Sequence, residues 1–421
     1  MLDFQKEKER FRNECTGCGV CASVCPIIPF TVIRDMAPIK IMESVLDVYN
    51  DRAPSAEARA RIYSCMSCQT CRHHCPEGLD PGLGLSLARG ILQKIGDPIP
   101  RGLSFLLPQA EFNFMKTIEA VQVKPAERPW HTDVSGQKPG RSKTVLFTGC
   151  TGIMQLDLVQ TALDLIRIID PSAEALGGVD YCCGDTNLRA GNPDASAANF
   201  LHLVEALNAF SPEKVLFLCP TCKAFFDLHS PQTAWSWTFV TDFLAEHIEK
   251  FTPLSERGVT VTVHDACHFV RGETVASDSP RQLLRAIPGV KILEMKNSGE
   301  KSFCCGGSAM AAVGQPGADF REHRLQEALG TGADIMAIYC PGCQSVFSSE
   351  RPKLPIKVES ILTMLAQSLG ISHEDKVLRY FAYRDPERVL MEAGECIEAS
   401  ELPEDKLKNF LTKYFTPKKL E

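Results

Sequence analysis

The sequence predicts an α+β multidomain protein, with a mostly helical, cysteine-rich N-terminal domain followed by two duplicated α/β units. Three observations carry this. Two cysteine runs of identical spacing stand before residue 77. A second, longer cysteine pattern occurs twice, its corresponding positions about 120 residues apart, the mark of an internal duplication. Within that pattern, short β-rich runs alternate with helical stretches, which is α/β layering. A chain of 421 residues with 44% hydrophobic residues has room for two or three packed cores.

In chain order, residues 1–14 read as a charged helical lead-in, and Pro29 to Arg61 holds few β signals and reads as helical. Asp80 before Pro81 gives an N-cap and a proline at the first helical position, opening a helix to about Gln93. Pro98, Pro100, Pro108, Pro125, Pro129 and Pro139 mark a linker with exposed Trp130 and His131. Strands are expected at Thr144–Thr148 and Lys214–Leu218, with helices at Leu156–Ile169 and Phe200–Ala209. In the second copy strands fall at Val259–His264 and Asp334–Tyr339, with helices at Pro280–Ile287 and Phe320–Leu329. Leu407, Phe410, Leu411, Tyr414 and Phe415 form an i, i+3, i+4, i+7, i+8 stripe, hence an amphipathic helix packing on its own domain. The expected boundaries are 1–100, a linker at 101–143, units at 144–255 and 256–370, and a helical extension at 371–421.

The formal net charge is −7, which argues against nucleic-acid binding through phosphate neutralisation. No window approaches the roughly 18 apolar residues of a membrane helix, so no direct membrane span is expected. The first residues hold no apolar signal segment. A cytoplasmic location follows as an expectation, with any membrane association through a partner. In that setting 19 Cys are reduced and hold metal rather than forming disulfides.

The first pattern is Cys15-Thr-Gly-Cys18-Gly-Val-Cys21-Ala-Ser-Val-Cys25-Pro26. It returns as Cys65-Met-Ser-Cys68-Gln-Thr-Cys71-Arg-His-His-Cys75-Pro76. Both read C-x2-C-x2-C-x3-C-P, the run of bacterial two-cluster ferredoxins, whose fourth cysteine serves the other cluster. One cubane [4Fe–4S] set is therefore Cys15, Cys18, Cys21 and Cys75, and the other Cys65, Cys68, Cys71 and Cys25. Structural zinc is the bland alternative. His73 and His74 are expected to tune a cubane rather than ligate it.

The second pattern comprises Cys150, Cys182-Cys183-Gly184 and Cys219-Pro-Thr-Cys222, then Cys267, Cys304-Cys305-Gly306 and Cys340-Pro-Gly-Cys343. A cubane or a tetrahedral zinc needs four ligands, and each unit offers five. Either one thiol bridges metals or one stays free for chemistry. Zinc, a simple cubane, or a thioredoxin-like dithiol at Cys-Pro-x-Cys are the alternatives. Cys396 stands outside every motif.

All 18 motif cysteines resemble the heterodisulfide reductase family. Residues 1–100 look like its C subunit and 144–370 like its B subunit, whose repeats carry the "CCG" signature; joined in this order they resemble the fused D-type subunit. The resemblance implies two cubane and two noncubane [4Fe–4S] clusters, the latter on Cys150, Cys182, Cys183, Cys219, Cys222, Cys267, Cys304, Cys305, Cys340 and Cys343. Related iron–sulfur subunits serve glycolate and lactate oxidases and complexes such as benzoyl-CoA reductase, so a non-catalytic electron relay is the rival expectation.

The leading expectation is a subunit of an anaerobic oxidoreductase complex. Electrons enter from a flavin-containing electron-transfer subunit or a membrane cytochrome subunit, pass the cubanes, and reach noncubane clusters facing a common cleft, which cleave a disulfide substrate, each capturing one sulfur. No G-x-G-x-x-G run follows a strand, so the flavin belongs to another subunit. His264, Asp265 and His268 flank Cys267 and are the candidate catalytic proton carriers, or hydrogen-bond partners of a cluster. Lys223 is a candidate counter-charge to a reduced cluster.

Overall fold

The computed structural model describes residues 2–134, 142–272, 276–349 and 351–416. Residues 135–141 of the expected linker at 101–143 and the end of the C-terminal extension beyond 416 lie outside them. The N-terminal domain is built from helices Phe4–Glu14, Pro38–Tyr49, Ala56–Ser64 and Pro81–Lys94. Their starts have local causes. The Asp3 carboxylate accepts from the Gln5 and Lys6 amides, Ser55 Oγ accepts from Ala58 N, and Asp80 accepts from Leu83 N at 3.0 Å with Pro81 behind it. Ile41, Met42, Val45, Val48, Ile62, Leu85 and Leu92 close a core between these helices, each burial worth about 1.5–3 kcal/mol.

The two duplicated units are two four-stranded parallel sheets of the same topology. In the first, β1 (Thr144–Phe147), β2 (Glu174–Leu176), β3 (Lys214–Phe217) and β4 (Ser236–Phe239) lie in the order β2-β1-β3-β4. In the second, β5 (Thr260–His264), β6 (Lys291–Ile292), β7 (Ile335–Ile338) and β8 (Lys357–Ser360) lie in the order β6-β5-β7-β8. β1 and β7 are buried along their whole length, as expected for apolar runs covered on both faces. The expected strands and helices form within a few residues of the positions read from the sequence. Helix Phe200–Ala209 starts earlier, at Pro193, where Asn192 caps it. In each sheet the chain runs to one side after the first central strand and to the other after the second. This reversal is the topological switch point where parallel α/β sheets place their sites.

The segment expected to be an exposed linker is folded against both α/β units, with helix Arg101–Ser104 lying on helix Gly307–Val313 of the second and Lys116, Gln122 and His131 bonding to the first. It forms helices Arg101–Ser104 and Phe114–Ala120 and buries Leu103, Met115, Ile118 and Val121. Trp130, expected to be exposed, is only 4% exposed and packs against Gly177. His131 extends the sheet: its N–H donates to Ala175 O at 2.8 Å and its carbonyl accepts from Gly177 N at 3.1 Å. The C-terminal helix Glu404–Tyr414 packs as its apolar stripe predicts. Leu407 and Leu411 are buried, and Phe410 meets Phe112 and Phe114 edge-on or tilted.

Candidate functional site

The two cysteine runs of the N-terminal domain fold alike. Each begins where a helix ends, Cys15 and Cys65 being C-cap residues in extended conformation. Two and four positions later the backbone is left-handed: Gly17 and Gly19 in the first run, Ser67 and Gln69 in the second. The second run holds this wrap despite side chains that cost about 1–2 kcal/mol per residue there. The fourth cysteine of each run crosses to the other loop. One concavity is lined by Cys15, Cys18, Cys21 and Cys75. A second is lined by Cys25, Cys65, Cys68 and Cys71. The first opens to the surface at exposed Cys18, whereas Cys65, Cys68 and Cys71 are buried.

In the α/β units the cysteines stand beyond the carboxyl ends of the central strands. Cys150 follows β1 and Cys267 follows β5. Cys219 and Cys340 are the N-caps of helices Pro220–His229 and Pro341–Ser348, and Cys222 and Cys343 sit in their first turns, where the helix dipole favours thiolate. The glycine after each Cys–Cys pair is required by its backbone. Gly184 has φ 102° and Gly306 has φ 80°, and each starts a short helix.

The five thiols of each unit form a chain of hydrogen-bonding neighbours. In the first it runs Cys150, Cys182, Cys183, Cys222, Cys219. In the second it runs Cys267, Cys304, Cys305, Cys343, Cys340. Cys219 and Cys340 also neighbour each other, so the two sites adjoin. The hydrogen bond to Cys304, with burial second, pushes the Cys267 thiol up to about 12. Ten such thiols do not ionise together unless positive charge is placed among them, which a bound metal cluster supplies. Among the described residues, no group of three or more His, Cys, Asp or Glu converges as a site for a single metal ion. The four-cysteine sets instead surround volumes, which fits a polynuclear cluster better than one zinc.

Contacts tie the sites into a series. Arg271, buried beyond β5, donates from Nε to Cys68 O at 2.8 Å and from Nη1 to Glu300 O and Ser302 O at 2.7 Å each. His73 Nε2 lies 3.3 Å from Arg271 O, and Cys68 is close enough to Cys304 to raise its pKa. The second cavity thus abuts the second unit. Between units, Gln155 Nε2 donates to Ser345 Oγ at 3.1 Å and Gln155 Oε1 accepts from Gln344 at 2.9 Å.

The three flanking candidates separate. His264 is wholly buried; burial first, then Arg324, hold it down at about 3, and its Nδ1 accepts from Arg324 Nε at 3.2 Å. Asp265 takes the Arg281 fork at 2.8 and 2.9 Å, the Gly299 amide at 2.6 Å and the Tyr339 hydroxyl at 3.2 Å. Burial alone would raise its carboxyl, but these partners hold it below the ordinary range. His268 alone of the three touches a thiol. Its Nδ1 is 3.3 Å from Cys267 Sγ and 3.4 Å from Thr221 Oγ1 of the first unit, and its Nε2 is 3.4 Å from Arg189 Nη2. Lys223 is a buried ion pair with Asp227 at 2.7 Å, so its charge is largely neutralised before it reaches a cluster site. His74 Nδ1 lies 2.9 Å from Thr70 O. The buried arginines Arg61 and Arg271 and the half-buried Arg189 escaped the sequence reading, because a basic residue carries no sign in its sequence that it will be buried.

Fold and thiol sites together define an iron–sulfur electron-transfer protein. Residues 12–79 match the 4Fe-4S dicluster domain family, and residues 144–227 and 261–348 each match the cysteine-rich domain family CCG. In layout and over most of its length the chain is similar to the D subunits of heterodisulfide reductases. It is 28% identical over 404 residues to the D-type subunit of the dihydromethanophenazine:CoB–CoM heterodisulfide reductase of Methanosarcina acetivorans, covering 86% of this chain and 95% of that one. The B-type subunit of the fumarate reductase (CoM/CoB) of Methanothermobacter marburgensis is 26% identical, over 86% of this chain and 73% of its own length. An EtfAB:quinone oxidoreductase of Syntrophomonas wolfei is 24% identical, over 68% and 43%. No helix among the described residues is long and apolar enough to cross a membrane.

Proposed function

We propose that this chain is the disulfide-reducing, electron-conducting subunit of an oxidoreductase complex. The observation that carries the reading is the unbroken series of thiol sites: a surface cavity, a buried cavity against the second unit, and two five-thiol sites adjoining at Cys219 and Cys340. Cys15, Cys18, Cys21 and Cys75 would hold one cubane, and Cys25, Cys65, Cys68 and Cys71 the other. The five-thiol sets would each hold a noncubane [4Fe–4S] cluster. Clusters so held supply electrons one at a time. Cleaving a disulfide consumes two electrons and two protons and yields two thiols, so two adjoining sites match the count.

The chain's own residues do the rest. The loop around exposed Cys18 is where a flavin-containing or cytochrome partner delivers electrons, with half-exposed Ile39 beside the Gly19 backbone. Arg271 fixes the buried cavity against the second unit. His268, held between Cys267, Thr221 and Arg189, is the residue placed to hand a proton to a leaving thiolate. His264 and Asp265 hold the loop that carries it.

The test is direct. Anaerobically purified chain should contain about 16 irons, four tetranuclear clusters; a content near eight removes the noncubane assignment. With reduced viologen as donor, disulfides should be turned over. Full iron without turnover and without a disulfide-induced EPR signal would leave an electron relay instead, the reading that the quinone-oxidoreductase relative favours.

A further inference from the structure

The cavity of Cys25, Cys65, Cys68 and Cys71 carries a buried cation. Arg61 lies in the last turn of helix Ala56–Ser64, just before Cys65, and is 0% exposed. It lines the cavity of Cys25, Cys65, Cys68 and Cys71, and its Nη1 donates to Cys25 Sγ at 3.5 Å. Among the described residues its Nε and Nη2 have no acceptor, and no carboxylate pairs with it. The other buried or half-buried guanidiniums differ. Arg189 pairs with Asp185 at 2.7 Å, Arg324 pairs with Glu327 at 2.6 Å, and Arg89 and Arg271 donate to backbone carbonyls, those of Ile62, Tyr63, Cys65 and Arg189 and those of Cys68, Glu300 and Ser302.

An unpaired charge in the interior is unfavourable unless something negative faces it. What faces Arg61 is sulfur. Burial alone would lower its pKa, but Cys25, Cys65 and Cys71 of one cavity and Cys21 of the other outweigh it and raise it. Cys21 and Cys25 lie in and just after one short helical turn, Val20–Ser23, and line different cavities, and Arg61 is close enough to both for their charge to reach it. A thiolate-held cluster is a net anion that becomes more negative on reduction. A fixed guanidinium and its N–H donors therefore favour the reduced form, since net charge and hydrogen bonds to sulfur set the potential.

We propose that Arg61 is a shared counter-charge that raises the reduction potentials of both cubane sites together and so sets how readily electrons enter the chain. This rests on those sites holding clusters, which the iron content of the unaltered chain tests separately.

The experiment is an EPR-monitored redox titration of the full chain, with iron analysis, on the wild type, Arg61→Gln and Arg61→Lys. Arg61→Gln is expected to keep its iron and lose about tenfold or more in the reduction equilibrium of each cubane, about 59 mV for a one-electron couple. Arg61→Lys, which keeps the charge, should lie between. Unmoved potentials in a fully loaded Arg61→Gln, or movement of only one cubane, would overturn the proposal. If Arg61→Gln fails to load, Arg61→Lys decides: loading with both potentials displaced downward together supports the shared charge. Unmoved potentials, displacement of one alone, or loss of iron in both variants makes Arg61 a scaffold residue and refutes it.

Discussion

Gly184→Ala should empty the first five-thiol site while leaving the N-terminal cavities loaded. Gly184 has φ 102°, where an L-residue is strained by about 1–2 kcal/mol. The added methyl would also collide with the Ser196 carbonyl oxygen and stand 2.9 Å from Ser196 Oγ. That oxygen belongs to the backbone of helix Pro193–Ala209 and cannot swing away, so an overpacking cost of about 1–3 kcal/mol is added. The sum, about 2–5 kcal/mol, falls on the turn that presents Cys182 and Cys183. Gly299→Ala is the control, because its φ is 59° but nothing lies within 4 Å of the new methyl. It bears the strain alone. The assay is iron content, EPR of the cubanes and the thermal midpoint of both variants. Gly184→Ala is expected to lose about four of about 16 irons and to melt below Gly299→Ala. Equal iron and equal midpoints would refute the argument that the glycine is demanded by its neighbour.

Three further outcomes follow from the geometry. His268→Gln should lower disulfide turnover by about 10²–10⁴, the usual share of general acid catalysis, with cluster reduction by viologen unchanged in stopped-flow traces. His229, buried among Phe4, Phe200 and Phe225, is held down at about 4 chiefly by burial. Its folded-state pKa is depressed, so the stability it permits is complete above its ordinary value near 6.5 and is lost as pH falls through 4, by about 3 kcal/mol. His229→Phe should flatten that part of the urea midpoint against pH, followed by the tryptophans, all three of which belong to or pack on the first unit. Cys396→Ser should leave the iron content unchanged, since Cys396 lies half-buried among Lys376, Glu127 and Lys124, away from every cavity.

What could be read in the sequence were the parts that chemistry ties to spacing. The crossing of Cys25 and Cys75 was legible because the three-residue step before Cys-Pro throws the last thiol out of its own loop. Central strands β1, β3 and β7 were legible as mostly apolar runs, and β5 as an alternation of Thr and Val. Edge strands β6, two residues, and β2, three, were not: they are too short to show any period and exist because a neighbour offers hydrogen bonds. The proline-rich stretch after residue 94 misled for a related reason. Pro100 and Pro125 start helical turns there, and only the tertiary structure shows that Leu103, Met115 and Trp130 are covered. Nor could the sequence separate His268 from His264, one reaching across to the first unit and the other sealed against Arg324.

The meeting of Cys219 and Cys340 has a consequence for how the molecule can be divided or altered. Two copies of a gene segment are usually free to drift apart or be expressed alone. Here each copy supplies part of the other's wall, through Gln155 against Gln344 and Ser345, and Arg189 and Thr221 against His268. A fragment ending after the first copy would expose Cys219 to solvent, and one starting at the second would strip His268 of two neighbours. The smallest piece worth engineering, or inheriting, is the pair.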